Sequence, residues 1–368
     1  MKTPYFNDLF KEVQALGGFH NAHVHLCRAG TLKATEQAIE SELGSSISLA
    51  TKHGLIPLIH NTKAFSGDNF CRRMDYFLRL MIDAGTSRVD TLVDLSPKTL
   101  GSSTFEKLLN LKKKVASEID LQIGAYCPLG FRDDEPERWQ LVQEIAKESD
   151  LIGALPERDE QLMYPEHIGF RESTSRLLYL SQQLQKPIHI HVDQKNDPSE
   201  NASEIVLEEM KKLGFKSPSG EPQVWFIHVI SPSAYEEDRF NELVKNMVTA
   251  NIGVICCPSA ALSMRQLRNV YSPTHNSIAR VLEFLAAGIP VRVSSDNIND
   301  ITSPASTADL MDEMFVLCNT IRFYDIPILA KLAAGKTLCE KEKNQIREHL
   351  EKDKIENKKS AEFTRSLL

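Results

Sequence analysis

Two histidines stand one residue apart in Asn21-Ala22-His23-Val24-His25-Leu26, and a second such pair occurs in Pro187-Ile188-His189-Ile190-His191-Val192-Asp193. A strand turns residues i and i+2 to the same face, so either pair aims two imidazoles one way. His228 interrupts the apolar run Val224-Trp225-Phe226-Ile227-His228-Val229, and Asp296 follows Val291-Arg292-Val293-Ser294-Ser295. Taken singly, a histidine in an apolar strand is more often a core residue satisfied by a neighbour. Several such positions, all near strand ends, make a different pattern. Neutral imidazoles with one carboxylate suit Zn²⁺, with Fe²⁺ as the alternative. Such an ion brings the pKa of a bound water toward neutrality, which makes hydrolysis the natural chemistry.

Other chemistries are poorly served. Gly335-Lys336-Thr337 has the ending of a phosphate loop, but the glycine required five residues earlier is Ala330. The seven cysteines, at 27, 71, 127, 256, 257, 318 and 339, form no Cys-x-x-Cys pair. That removes the usual cysteine zinc sites. Neither His-Glu-x-x-His nor Gly-x-Ser-x-Gly occurs.

The elements that must carry these residues are short runs rich in Val, Ile and Leu. Strands are predicted over 18–26, 88–95, 121–126, 151–155, 187–192, 223–230, 252–256 and 290–294. They lack strict polar alternation, as strands buried on both faces of a parallel sheet do. Amphipathic stretches lie between them, at 106–116, 171–184, 203–213 and 278–287, with apolar spacing near 3.6. Eight βα units predict an α/β protein, a (β/α)8 TIM barrel, with a doubly wound open sheet as the runner-up. The first connection is long and predicts a helical pair near 32–53 and 69–83, in a position to cap the active face. From Glu340 on, the chain is charge-dense and reads as a solvated helix followed by a frayed tail. The expected organisation is a barrel over 1–340 and a helical tail over 341–368.

Composition agrees with a globular protein of 368 residues. Hydrophobic residues are 42% and charged residues 25%. The net charge of −7 argues against a nucleic-acid partner, which needs a basic surface. An odd number of scattered cysteines and the absence of a secretory pattern predict a cytoplasmic protein with reduced thiols. No membrane partner is expected. A small-molecule substrate is, and the chain could form a homo-oligomer.

The ordered segments resemble the amidohydrolase superfamily, in its mononuclear cytosine deaminase-like and adenosine deaminase-like branch. The matching residues are Asn21 to Leu26, Ile119-Asp120-Leu121-Gln122-Ile123, Ile152-Gly153-Ala154-Leu155-Pro156, His191-Val192-Asp193-Gln194, Ile227-His228, Cys257-Pro258-Ser259, and Ala287 to Val291 leading to Ser295-Asp296-Asn297. The resemblance implies one divalent ion held by His23, His25, His191 and Asp296, with no lysine near Ala154 to bridge a second. His228 would orient the attacking water. Asp296 would take its proton as it attacks an sp² carbon of a cyclic amidine, an amide or an N-substituted ring. The short segment before His23 implies that the family's flanking β-sandwich is absent.

Four positions depart from the deaminase pattern. Gln194 stands where the family has a proton-shuttling Glu. Cys27 replaces an Asp, Asn297 a second acid, and Leu92 a strand-two His. Gln194 is carried as a catalytic-site residue together with Asp296 and His228, and Glu157 and Asn297 as substrate-binding candidates. Glu157 is also a conceivable substitute for the missing acid. Asp193 is expected to point away from the ion, one step from His191 on the strand. The reading is a metal-dependent, deaminase-like hydrolase. The alternative is a barrel that keeps its pocket and has lost catalysis.

Overall fold

The computed structural model describes residues 3–40, 48–264 and 276–366, with side chains described to 363. Eight parallel strands follow one another around a single sheet in sequence order: β1 Phe19–Val24, β2 Thr86–Asp94, β3 Asp120–Tyr126, β4 Leu151–Ala154, β5 Ile188–Val192, β6 Val224–His228, β7 Ile252–Cys256 and β8 Val291–Val293. Each predicted strand is found, within a few residues at its ends. Among the described residues there is no second sheet, so no flanking β-sandwich. A parallel bridge from Val24 to Asp296 brings β1 to the end of β8. Backbone bonds from His25 N to Asp296 O (2.9 Å) and from Asp296 N to His23 O (3.0 Å) close the seam. Asn21 reinforces it, donating from Nδ2 to Ser295 Oγ at 2.9 Å and accepting from Ser295 N at 3.1 Å.

The barrel interior is filled rather than hollow. Trp225, Ile227, Ile255 and Ala22 form one buried layer, and Leu92, Tyr126, Leu151 and Leu155 another. Glycines make the room. A Cβ on Gly153 would meet Leu92 at 2.6 Å, and one on Gly253 would run into the Trp225 ring. Leu92, where a histidine was the deaminase pattern, is thus fully committed to packing. A larger apolar cluster joins the outer faces of the strands to the surrounding helices.

The first connection folds as the helices Leu32–Ile39, Leu49–Gly54, Ile56–His60 and Gly67–Asp83. The second predicted helix, over 69–83, is found, while the first, over 32–53, is described as two helices, and its residues 41–47 lie outside those described. The charged helix predicted from Glu340 is found, and it runs on through much of the predicted tail as Glu340–Ser366. Its charge density hides a few anchors: Ile346 is fully buried, and Arg347 Nε donates to Ala286 O at 2.9 Å. No helix among the described residues is long and apolar enough to cross a membrane.

Candidate metal centre

His23, His25, His191 and Asp296 meet at the C-terminal mouth of the barrel, each offering a ligand atom within 4.8 Å of the others. His25 Nε2 and His191 Nε2 are 3.4 Å apart. Asp296 Oδ1 lies 3.5 Å from His25 Nε2 and 3.7 Å from His23 Nε2. A tetrahedral ion with ligands at 2.0–2.1 Å would set its donors about 3.3 Å apart. Two of the converging atoms, His23 Nε2 and Asp296 Oδ1, are buried and have no hydrogen-bond partner. Buried polar atoms are rarely left so, and a cation is what this donor set lacks. The residues fit a single divalent ion.

The electrostatics support it. Burial, and then the neighbouring imidazoles, hold His23 well below the usual histidine range, so it is neutral and able to ligate. Burial lowers His191 to about 4, and burial raises Asp296 to about 7. A bound dication reverses that last direction and keeps the carboxylate ionised.

The ligand tautomers are fixed from behind. His191 Nδ1 donates to Ala154 O at 2.8 Å, which frees Nε2. His23 Nδ1 lies 3.3 Å from His189 Nδ1, so one proton shared by the two nitrogens would leave His23 Nε2 free for an ion. His189 is thus the orienter of His23, a partner that the second His-x-His pair signalled by its spacing. Such outer partners are typically worth about 10–100-fold in metal affinity. His189→Phe is expected to weaken zinc binding by that factor with the barrel intact, as read by chelator competition. Unchanged affinity would remove His189 from the support of the site.

His228 Nε2 lies 3.9 Å from Asp296 Oδ2, beside the four ligands. Its own φ is 75° and that of Val229 49°, while Asp193 and Asp296 have φ of 55° and 58°. Left-handed backbone at a β-branched residue is unfavourable, and such strain gathers where a structure must aim side chains. It also explains why β6 stops at His228, short of the predicted 230. The turn at Asp193 sends its carboxylate away from the histidines to the Ser203 amide, 3.3 Å from Oδ1, at the start of the helix Ala202–Leu213.

Gln194 and Asn297 line the cleft beside the ligands, together with His25, Arg28, His53, Tyr126 and His228. Glu157 sits one step outward, in a cavity of about 190 Å³ that also touches His53, Arg158, Tyr164 and Lys195. His53, Leu49 and Met264 line both spaces, so the cleft opens into the cavity. Arg28, His53 and Tyr126 were not anticipated. Arg28 is buried and lies 3.4 Å, at Nε, from Asp94 Oδ2, which also accepts from His60 Nε2 at 2.9 Å. Burial, then the Arg28 cation, lower His53 to about 3. Cys27 is buried, its Sγ 3.7 Å from Leu92 O, and burial pushes its thiol far up, so it packs as a neutral group.

No protein-family model matches the chain. It is 27% identical to an uncharacterized protein of Haemophilus influenzae over 274 residues, 74% of this chain and 92% of that protein. It is 24% identical over 234 residues to a pterin deaminase of Rhizobium rhizogenes, which is 62% of this chain and about half (49%) of that enzyme. Among solved structures, a 5-methylcytosine deaminase from Klebsiella pneumoniae with bound 5-fluorocytosine superposes with a TM-score of 0.71 at 21% identity. The match covers 86% of this chain and 72% of that one. The barrel that the sequence resemblance implied is therefore the barrel of solved deaminases.

Proposed function

We propose that this chain is a metal-dependent amidohydrolase of the deaminase type, acting on a C–N bond of a small nitrogen heterocycle. The observation that carries the reading is the set of imidazole Nε2 atoms and Asp296 Oδ1 converging without other partners beside a cleft at the barrel mouth. The barrel shared with a 5-methylcytosine deaminase and the partial likeness to a pterin deaminase support the same class. Cytosines and pterins both present an amino-substituted pyrimidine ring, and a cavity of about 190 Å³ suits one flat ring system.

A divalent ion, zinc or iron, would supply a water acidified toward neutrality. The protein supplies the rest. Asp296 accepts the proton of the attacking water and hands it to the departing nitrogen. His228, 3.9 Å from Asp296 Oδ2, orients that water. Tyr126 and Leu155 wall the cleft, and Asn297, whose Oδ1 is buried without a partner, faces the substrate with a free acceptor. The products are ammonia or an amine and a ring carbonyl.

The test is metal analysis of the purified chain together with ammonia release from cytosine, 5-methylcytosine, guanine, adenosine, pterin and an N-substituted triazine. A metal-replete protein that releases no ammonia from any of them overturns the proposal. Gln194, in place of an acid, favours a second reading, a barrel that binds such a ring without turning it over. Calorimetric binding of the same compounds without turnover would support it.

A further inference from the structure

The proposed reaction requires a proton for the ring nitrogen, and Gln194 has none to give. An amide can neither donate nor recover a proton at useful cost. The side chain that Gln194 touches can. Gln194 Nε2 donates to Glu157 Oε2 at 3.3 Å, and the other oxygen, Glu157 Oε1, is shielded from solvent with no partner. Gln194 lines the cleft of the metal ligands and Glu157 lines the cavity that continues it. The pair therefore spans the junction where a ring reaching the ligands would lie.

We propose that Glu157 is the proton carrier of this site, delivering a proton to the substrate's ring nitrogen and taking one back, with Gln194 as the residue that positions it. This rests on the deaminase reading above. The balance is as follows. Water oxygen bonds to the amidine carbon, its proton passes to Asp296, and the C=N electron pair moves to the ring nitrogen, which takes the Glu157 proton. On collapse the new hydroxyl returns its proton to Glu157, the exocyclic C–N bond breaks, and ammonia leaves with the proton from Asp296. Glu157 and Asp296 end as they began.

The surroundings keep Glu157 in the protonated form that the first step needs. Burial raises it well above the usual carboxyl range, and the Glu200 and Asp193 carboxylates raise it further, against the opposing Lys195 cation. Glu200, which stands close enough to Glu157 to raise it by hydrogen bonding as well as by charge, accepts through Oε2 from the Lys195 amide at 2.8 Å and from Ser231 Oγ. Lys195 Nζ stands 3.7 Å from Glu200 Oε1. Arg158 and His53 complete the titratable groups around the cavity.

The experiment uses the zinc-loaded protein and three variants: Glu157→Gln, Gln194→Glu, and the exchange of both. With the ammonia-releasing compounds of the panel, Glu157→Gln should lower kcat by about 10²–10⁴-fold, the usual worth of acid–base assistance, with zinc content unchanged. The double exchange should recover most of that loss, because it returns a carboxyl to the junction from the neighbouring strand. Infrared difference spectra at pH 7 should show a protonated-carboxyl band in the wild type that Glu157→Gln removes. A wild-type kcat in Glu157→Gln, or no band that depends on Glu157, overturns the proposal. Inactivity of the wild type on every compound overturns the deaminase reading instead, and the infrared result then decides the protonation of Glu157 independently.

Discussion

Asp296→Asn is expected to cost at least about 10⁴-fold in turnover, the upper end of what a single acid–base group supplies. The substitution removes three things from one position: an anionic ligand, the acceptor of the water's proton and the donor to the leaving nitrogen. Its backbone need not move, since asparagine tolerates the left-handed φ of 58° that this position holds. His25→Ala separates the contributions. It removes a ligand and leaves Asp296 in place, so it should empty the site altogether. Elemental analysis and single-turnover ammonia release read the two variants. Full metal occupancy in His25→Ala, or more than about a tenth of wild-type turnover in Asp296→Asn, would show that the ligand assignment is wrong.

Arg28→Met is expected to destabilise the fold by about 3–5 kcal/mol, the cost of breaking a buried ion pair by removing one partner. Arg28 is 3% exposed and Asp94 not at all, and Asp94 Oδ1 has no hydrogen bond to fall back on. Burial pushes the Asp94 carboxyl up, but the Arg28 cation and the His60 bond more than reverse this, so it lies below the usual range. A depressed carboxyl stabilises above its unfolded pKa, near 3.9, and loses that contribution as the pH falls through the lower folded value. The difference between wild type and Arg28→Met should therefore be full at pH 7 and shrink under acid. Urea unfolding at several pH values measures it. Adding Asp94→Asn should recover part of the loss at pH 7, since no uncompensated charge is then buried. No recovery would mean that Arg28 acts through packing alone.

The barrel was legible because parallel strands buried on both faces leave continuous apolar runs, and these were bounded by Gly, Pro and charged helices. The candidate ligands stood out for a related reason. A histidine inside such a run has few neighbours to satisfy it, so His23, His25 and His191 are conspicuous, with His228 beside them, and Asp296 marks the strand end. Arg28, His53 and Arg158 sit on short turns and on the first insertion, where a cation ordinarily faces water. Only the folded connections turn them inward. The helix from Glu340 was legible, but its anchorage was not, because Ile346 and Leu350 are sparse among the lysines and glutamates around them. The contact of Gln194 with Glu157 joins the ends of two neighbouring strands, which no local pattern encodes.

The seam between β1 and β8 has a consequence for the molecule as a closed ring. Seven of its strand junctions are hydrogen-bonded ladders, that of β1 with β2 interrupted by irregularities, while the eighth depends on the short bridge at Val24 and Asp296 and on the Asn21 and Ser295 side chains. Two of the four candidate ligands on one side of that junction, His23 and His25, exchange backbone bonds with the fourth, Asp296, on the other. An ion shared among them would act as a clasp across the weakest joint of the cylinder. Free ion at a thousand times its dissociation constant would add about 4 kcal/mol to the closed form. That energy would be spent where the ring opens, so amide protons of His25 and Asp296 should be the ones whose exchange slows most on loading. In such an arrangement the ion would also be a fastener, and its loss would loosen the protein at the place where the last strand meets the first.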